Sequence, residues 1–362
     1  MYTLTFTVTN DLNYDQRMIR ICESLAANDY QVELIGRKLK YSTPLTSRSF
    51  FQHRLNCFFT KGFLFYAEFN LRLLIYLLGR KSDLYCAIDL DTIIPCLLVS
   101  KIKGKKRVYD AHELFCEMKE VVTRPHVRAL WQVIEKWCVP QYQYGYTVSK
   151  PIADVFRDVY NVRYAVIRNI AKYQISRTDI NRKQVIIYQG AVNEGRSFET
   201  LIPAMQQVKA QLSIYGDGNF YEQVKDLIET HQLQHKVFLK GKSLPEELRA
   251  VTSNALIGIT LFENNGLSNY YSLANRFFDY IHAEVPQLCV DYPAYTEINN
   301  EWEVAVLISD LSPANIASQL NNLIDDTVLY ERLRRNCKLA AQQLNWQEEE
   351  KKLLEFYKKI MA

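Results

Sequence analysis

Paired cysteines, a glycine-rich turn after the first strand, a membrane-length apolar run and a short-period repeat are all missing from these 362 residues. Each absence excludes something. The eight cysteines are scattered without a Cys-x-x-Cys pair, which argues against a disulfide scaffold or zinc ribbon and for reduced thiols in a cytoplasm. No G-x-G-x-x-G follows the first strand pattern, which weighs against a nicotinamide-dependent dehydrogenase. The opening "MYTLTFTVTN" alternates like a strand and has no basic region followed by an apolar one, so no secretory leader is expected. A net charge of only +4 leaves no extended phosphate footprint, and nucleic acid is not an expected partner.

What is present is an ordinary globular composition, 48% hydrophobic and 23% charged, on a chain longer than one hydrophobic core favours. Short apolar runs alternate with helical patterns from "LTFTVT" and "QVELIG" through "LYCAID", "KRVYDA" and "YGYTVS" to "YAVIRNI". The polar stretch "AKYQISRTDINRK" then interrupts, and a second series runs from "QVIIYQG" through "LSIYGDG", "KVFLKG" and "ALIGITL" to "PQLCVD" and "VAVLI". Strands alternating with helices predict parallel sheets covered by helices. The fold class is α/β, with two Rossmann-like domains facing a cleft. The expected boundaries are 1–170, a linker at 171–183, a second domain at 184–345 and a terminal helix at 346–362 returning to the first.

One segment, "FFTKGFLFYAEFNLRLLIYLLGRK" at 58–81, is rich in Phe, Leu and Tyr and punctuated by Lys61, Arg72, Arg80 and Lys81. The pattern suits a helix packed on its own sheet and equally one resting on an anionic inner-leaflet membrane surface. Both readings stay open.

The stretch "NNGLSNYYSLANRFFDYIHAEVP", 264–286, passes from small and amide residues into an apolar helix. It follows the strand "ALIGITL", so it stands where ligands bind in parallel sheets, outside the strand carboxyl ends. A helix beginning between Ser272 and Asn275, both acceptable caps, offers unpaired N–H groups and a positive dipole end to an anion. Asn275 and Asp279 share a face, with Asp279 about 6 Å further along the axis. That offset suits a ribose lying beyond a phosphate.

The run "YSLANRFFDYIHAEVPQLCVDYPAYTEI" resembles the donor-binding segment of glycosyltransferase family four, the retaining group one transferases of GT-B fold. In that family a Glu-x7-Glu motif ends on this helix, and its second acid holds the nucleotide ribose. Asp279 matches that acid; the first position is Tyr271, a departure for which Glu263 in the same loop is the substitute. The resemblance implies a phosphate and sugar cradle at the backbone of Ser272, Leu273 and Ala274. It extends to "YQGAVNEGRSFETLIPAM", where Gly190 lets the ligand approach and Arg196 is the candidate diphosphate grip, since Ala191 and Glu194 stand where the family's basic pair belongs. It extends further to Gly216 and Gly218 in "YGDGNF" and to Gly241 in "LKGKS". In "RVYDAHELFCEM", His112 matches the family's donor-contacting histidine, with Asp110 and Glu113 beside it.

The first strand's loop offers Asn10, Asp11 and Arg17 toward an acceptor. The pair Asp89 and Asp91 superficially matches a metal-binding D-x-D, but no metal or other cofactor is expected. The resemblance thus implies a cytoplasmic, metal-independent glycosyltransferase acting in cell-surface polysaccharide synthesis. Its substrates would be a nucleotide-sugar donor, UDP-linked by preference, and a glycan or lipid-linked acceptor. Two alternatives remain, a sugar-nucleotide epimerase of the same architecture and a non-catalytic nucleotide- or glycan-binding partner.

Overall fold

The computed structural model of the chain describes residues 1–174 and 184–362, so 175–183, most of the expected linker, lie outside the described residues. The chain divides into two compact units, one formed by Met1–Asn169 together with Glu349–Ala362, the other by Ile170–Glu348.

The first unit is built on seven strands: β1 (Tyr2–Thr7), β2 (Tyr30–Lys38), β3 (Phe51–Asn56), β4 (Leu84–Ile88), β5 (Lys106–Ala111), β6 (Tyr144–Thr147) and β7 (Ala165–Val166). They lie in the order β3-β2-β1-β4-β5-β6-β7, all parallel. Central β4, "LYCAI", is buried along its whole length, as a parallel strand covered on both faces must be. The edge strand β3 escapes the sequence pattern because only Leu55 of "FQHRLN" is buried. Helix Gln16–Ala26 starts where the Asp15 carboxylate accepts the Met18 N–H, which satisfies one of the orphan amides of its first turn. Helix Lys150–Tyr160 stops at Asn161, held in the left-handed conformation at φ 55°, a common way to end a helix.

Helix Trp346–Met361 carries its later turns into this unit. Leu353, Tyr357, Ile360 and Met361 are buried, and the Tyr357 ring lies 5.9 Å from that of Phe6 on β1. Fully burying one such side chain contributes about 1.5–3 kcal/mol. The helix is anchored by Glu349, itself fully buried, which accepts the Arg168 N–H at 2.8 Å and the Lys352 ammonium at 2.7 Å.

The second unit has six strands: β8 (Val185–Gln189), β9 (Gln211–Tyr215), β10 (Val237–Gly241), β11 (Ile257–Thr260), β12 (Gln287–Val290) and β13 (Ala305–Ile308). Their order is β10-β9-β8-β11-β12-β13, again parallel. The chain therefore builds outward from β8 to one edge and then returns to β11 on the other side. This reversal opens a crevice at the carboxyl ends of β8 and β11, the position where open parallel sheets receive ligands.

Candidate functional site

Glycines close three adjacent strands on that side of the second sheet. The Gly190 N–H donates to the Tyr215 carbonyl at 2.9 Å and the Gly216 N–H to the Gly241 carbonyl at 2.8 Å, so the three turns are joined in one row. At Gly216, φ is +149° and a Cβ would fall 1.8 Å from the Gly190 carbonyl oxygen; no other residue fits. Gly218 packs against Asn193 and Val192, each 2.3 Å from where a Cβ would stand, whereas Gly241 borders open space. Gly190 itself is exposed, and the nearest atom to its missing Cβ is Nη1 of Arg276, at 3.2 Å.

Arg276 was not singled out by the sequence. It lies in the first turn of helix Asn275–His282, is only 7% exposed, and is held between the Tyr188 and Phe262 rings with its guanidinium carbon 4.5 Å from each centroid. Its Nη1 donates to the Tyr188 hydroxyl at 3.2 Å and the Gln189 carbonyl at 3.4 Å, but Nε and Nη2 have no hydrogen-bond partner among the described residues. A buried cation lacking an anion is costly, and one in a first turn also opposes the helix dipole. The sequence does hold a signal: in "NRFFDYI" an arginine falls among Phe277, Phe278 and Ile281, which form the buried face.

Asp279, one turn further on, accepts the Gln189 side-chain amide at 2.8 Å, and Gln189 in turn accepts the Thr252 hydroxyl at 2.6 Å. The carboxylate is thereby fixed at the end of β8. Asn275 is exposed at the helix start. The capping expectation needs correction, since the residue preceding the helix is Ala274 and neither Ser272 nor Asn275 caps it. The Ser272 hydroxyl turns back to the Asn269 carbonyl at 2.7 Å, and the Ala274 N–H donates to the Tyr295 hydroxyl at 2.9 Å. Within the expected cradle, then, the Ala274 amide is engaged by Tyr295, while Leu273 is buried into the core.

Arg196 reaches the same neighbourhood from the loop after β8. Its guanidinium carbon stands 4.7 Å from the Phe262 centroid and its Nη1 donates to Asn269 at 3.2 Å. Glu263 follows Phe262 directly; its N–H donates to the Gly195 carbonyl at 3.1 Å and its carboxylate accepts the Asn265 amide at 2.8 Å. Tyr271 packs its ring 5.1 Å from that of Tyr270. One crevice edge thus gathers Gly190, Arg196, Glu263, Arg276 and Asp279.

In the first unit, the corresponding reversal lies between β1 and β4, and His112 stands just past β5. Its Nδ1 lies 3.3 Å from Asp89 and its Nε2 3.2 Å from Asp110. Burial pulls the imidazole toward neutrality, but the two carboxylates win and hold its pKa well above the usual value. Asp110 is fully buried, which by itself raises its pKa; Arg17 and His112 overcome that and hold it low. Asp89 adopts φ +54° and accepts the His112 N–H at 2.9 Å. Asp91 is 8% exposed, accepts from Thr9, and is pushed up to about 7 by burial and then by Asp89.

Two of the three acceptor-side candidates are buried and paired. Arg17 is buried, donates to Asp110 at 2.9 Å and to the Ile167 carbonyl at 3.2 Å, and so braces the His112 cluster from behind. Asp11 is buried against Arg54 and Ser42, which fold its own loop. Both charges found partners far away in sequence, invisible to local reading. Asn10 is exposed, its amide bonded to Asp15 at 2.9 Å. Among the described residues no group of three or more His, Cys, Asp or Glu side chains is placed to hold a metal ion.

Residues 172–343 match the family described as glycosyl transferases group 1. No curated protein matches the sequence. Solved structures match over the whole chain. Sucrose-phosphate synthase from Thermosynechococcus elongatus aligns with a TM-score of 0.82 at 15% identity, covering 100% of both chains. HepE from Anabaena, in complex with UDP and glucose, aligns at 0.78 and 14% identity over 99% of this chain and 100% of that one. A TarM variant from S. aureus, in complex with fondaparinux, alpha-GlcNAc-glycerol and UDP, aligns at 0.75 and 10% identity over 99% of each chain. At these identities the likeness establishes a fold, two parallel-sheet domains of GT-B type.

Proposed function

From a chain whose residues 172–343 match the glycosyl transferases group 1 family and whose two sheets make the GT-B fold, we propose a retaining, metal-independent transfer of a sugar from a UDP-linked donor. The acceptor is a hydroxyl of a glycan or lipid-linked glycan, and the setting is cell-surface polysaccharide assembly in the cytoplasm. That a transferase is at hand follows from the family; donor base, acceptor and pathway are this reading's own.

The observation that carries it is Arg276. Its guanidinium is buried, has two nitrogens without partners among the described residues, and abuts the exposed backbone of Gly190 at the β8–β11 crevice. A diphosphate bound over Gly190 supplies the missing anion. Arg196 adds a second cation at the same Phe262 ring, taking the place of the family's basic pair. Asp279, held by Gln189, accepts the ribose hydroxyls.

Departure of the diphosphate leaves an oxocarbenium-like sugar, so the protein's task is to stabilise negative charge on the leaving oxygens. Arg276 and Arg196 are preorganised for that, and the departing phosphate itself takes the acceptor proton. Glu263 substitutes for the acid absent at Tyr271 and takes the sugar hydroxyls. His112, kept protonated by Asp89 and Asp110, orients the donor and adds positive charge. UDP is preferred because HepE and TarM, both similar in fold, were solved with it.

A thermal-shift panel of UDP-, GDP-, ADP- and CMP-linked sugars tests the reading, since a selective ligand raises apparent stability. Stabilisation by UDP-sugars is expected, followed by transfer with retained anomeric configuration. Epimer formation without acceptor would support the epimerase alternative, and no stabilisation by any of the four would end the proposal.

A further inference from the structure

The first unit carries an apolar face that the site residues do not use. Helices Gly62–Leu78, Ile93–Ile102 and Pro125–Cys138 each lead toward the same edge of the sheet, so right-handed crossovers place all three on one face. The Tyr66 ring meets that of Trp131 at 5.2 Å, which makes the outer two neighbours. Helix Gly62–Leu78 buries Phe65, Phe69, Leu73 and Leu77 at fourfold spacing, yet its opposite side presents Leu64, Leu71 and Ile75, the last 62% exposed. Helix Pro125–Cys138 turns Trp131 inward and leaves Leu130, Val133 and Trp137 in solvent, with Val133 66% exposed. Phe58 and Phe63 extend the same patch. A run of apolar side chains this long on the outside of a folded domain marks an interaction surface.

Charge rings the patch. Arg80 and Lys81 end the first helix, "KIKGKKR" at 101–107 ends the second, and Arg124, Arg128 and Lys136 lie along the third. The Lys103 ammonium donates to the Leu77 carbonyl at 2.8 Å, which joins the first two basic corners. The asymmetry holds for whole units: the first has 28 Lys and Arg against 19 Asp and Glu, a net +9, and the second 16 against 21, a net −5.

We propose that this face docks on an anionic lipid bilayer, with the aromatic and aliphatic side chains entering the headgroup boundary and the cations meeting the headgroups. Glu68, Asp83 and Glu117 each pair with a cation beside the patch, Arg72, Lys105 and Arg128, and the cations still outnumber them; an apolar centre in such a basic surround is the complement of an anionic bilayer. A second copy is a poor occupant, because a two-fold contact would set the same cations against themselves. The proposal goes beyond sugar transfer and is independent of it; vesicle binding and nucleotide binding are separate measurements.

Co-sedimentation of the full chain with vesicles of pure phosphatidylcholine, and of phosphatidylcholine with 30% phosphatidylglycerol, tests it at low and high salt. Binding to the anionic vesicles alone, weakened by salt, is expected. Each cation near such a surface contributes roughly fivefold, so Lys81→Glu with Lys136→Glu, both exposed, should weaken partitioning more than tenfold. Ile75→Glu with Val133→Glu should do the same, while both variants keep the parent melting temperature, as the sites are exposed. Equal binding to both vesicle types, or binding unchanged in both variants, overturns the proposal. So does a dimer in sedimentation analysis that Ile75→Glu with Val133→Glu converts to monomer.

Discussion

Both sheets reverse direction once, and both gather charge at that point, but they treat it differently. In the first unit Arg17, Asp110, His112 and Asp89 neutralise one another within 3.4 Å at each contact. In the second, Arg276 keeps two buried nitrogens without partners among the described residues. A closed network holds a group in position; an open charge waits for a ligand. The lesson is that a buried guanidinium with no carboxylate beside it among the described residues, rather than polarity as such, identifies the receptor side.

The sharpest way to break this contrast is Arg276→Met. Nucleoside diphosphate affinity should fall on the order of 100-fold or more, as expected for loss of one partner of a buried charge pair. Without ligand the variant should melt no lower than the parent, because a lone buried charge is removed. Calorimetric titration with UDP together with a melting curve gives both readings, and a large loss of ligand-free stability would make Arg276 a structural residue.

His112→Gln probes the closed network. Transfer should slow by about 100-fold, the scale of one lost electrostatic stabiliser, with UDP affinity changed only a few-fold. Equal loss of both would erase the distinction between the units.

Asp279→Asn should cost about tenfold in UDP affinity and, more tellingly, abolish discrimination against 2′-deoxy-UDP. Retained discrimination would move the ribose elsewhere.

The smallest effect belongs to Asp91→Asn, read as melting temperature against pH. Asp91 has its pKa raised from 3.8 to about 7 in the folded state, so its protonated form is the one that folding favours. That contribution is fully present below pH 3.8 and is lost as pH rises through about 7. The variant should therefore match the parent in acid and melt a few degrees higher near pH 8. A difference independent of pH would show that Asp91 does not titrate in this range.

The alternation of apolar runs and helices was legible because parallel strands buried on both faces leave continuous Val, Ile and Leu segments. Legibility failed at β3, whose polar "FQHRLN" pays little hydrophobic tribute to the core. The ends of the strand patterns single out Gly190, Asp110 and His112, and the structure sets Gly190 just past β8 and His112 against Asp110 just past β5. The partners of those charges were not legible: Arg17 meets Asp110 across 93 residues, and only folding decides whether an arginine is consumed or left open. Arg276 escapes local reading for the converse reason, since the residues around it have the pattern of ordinary core. The helix within 58–81 buries one stripe and exposes another.

The first unit is discontinuous: its last 14 residues, Glu349–Ala362, follow the whole of Ile170–Glu348. During synthesis its sheet must therefore wait, with the seat of Tyr357 beside Phe6 vacant, while some 180 residues of another module are made and folded. Vectorial folding favours the inserted module as the first to mature. The earliest-born half is the last to be finished, and chaperone dependence should concentrate there.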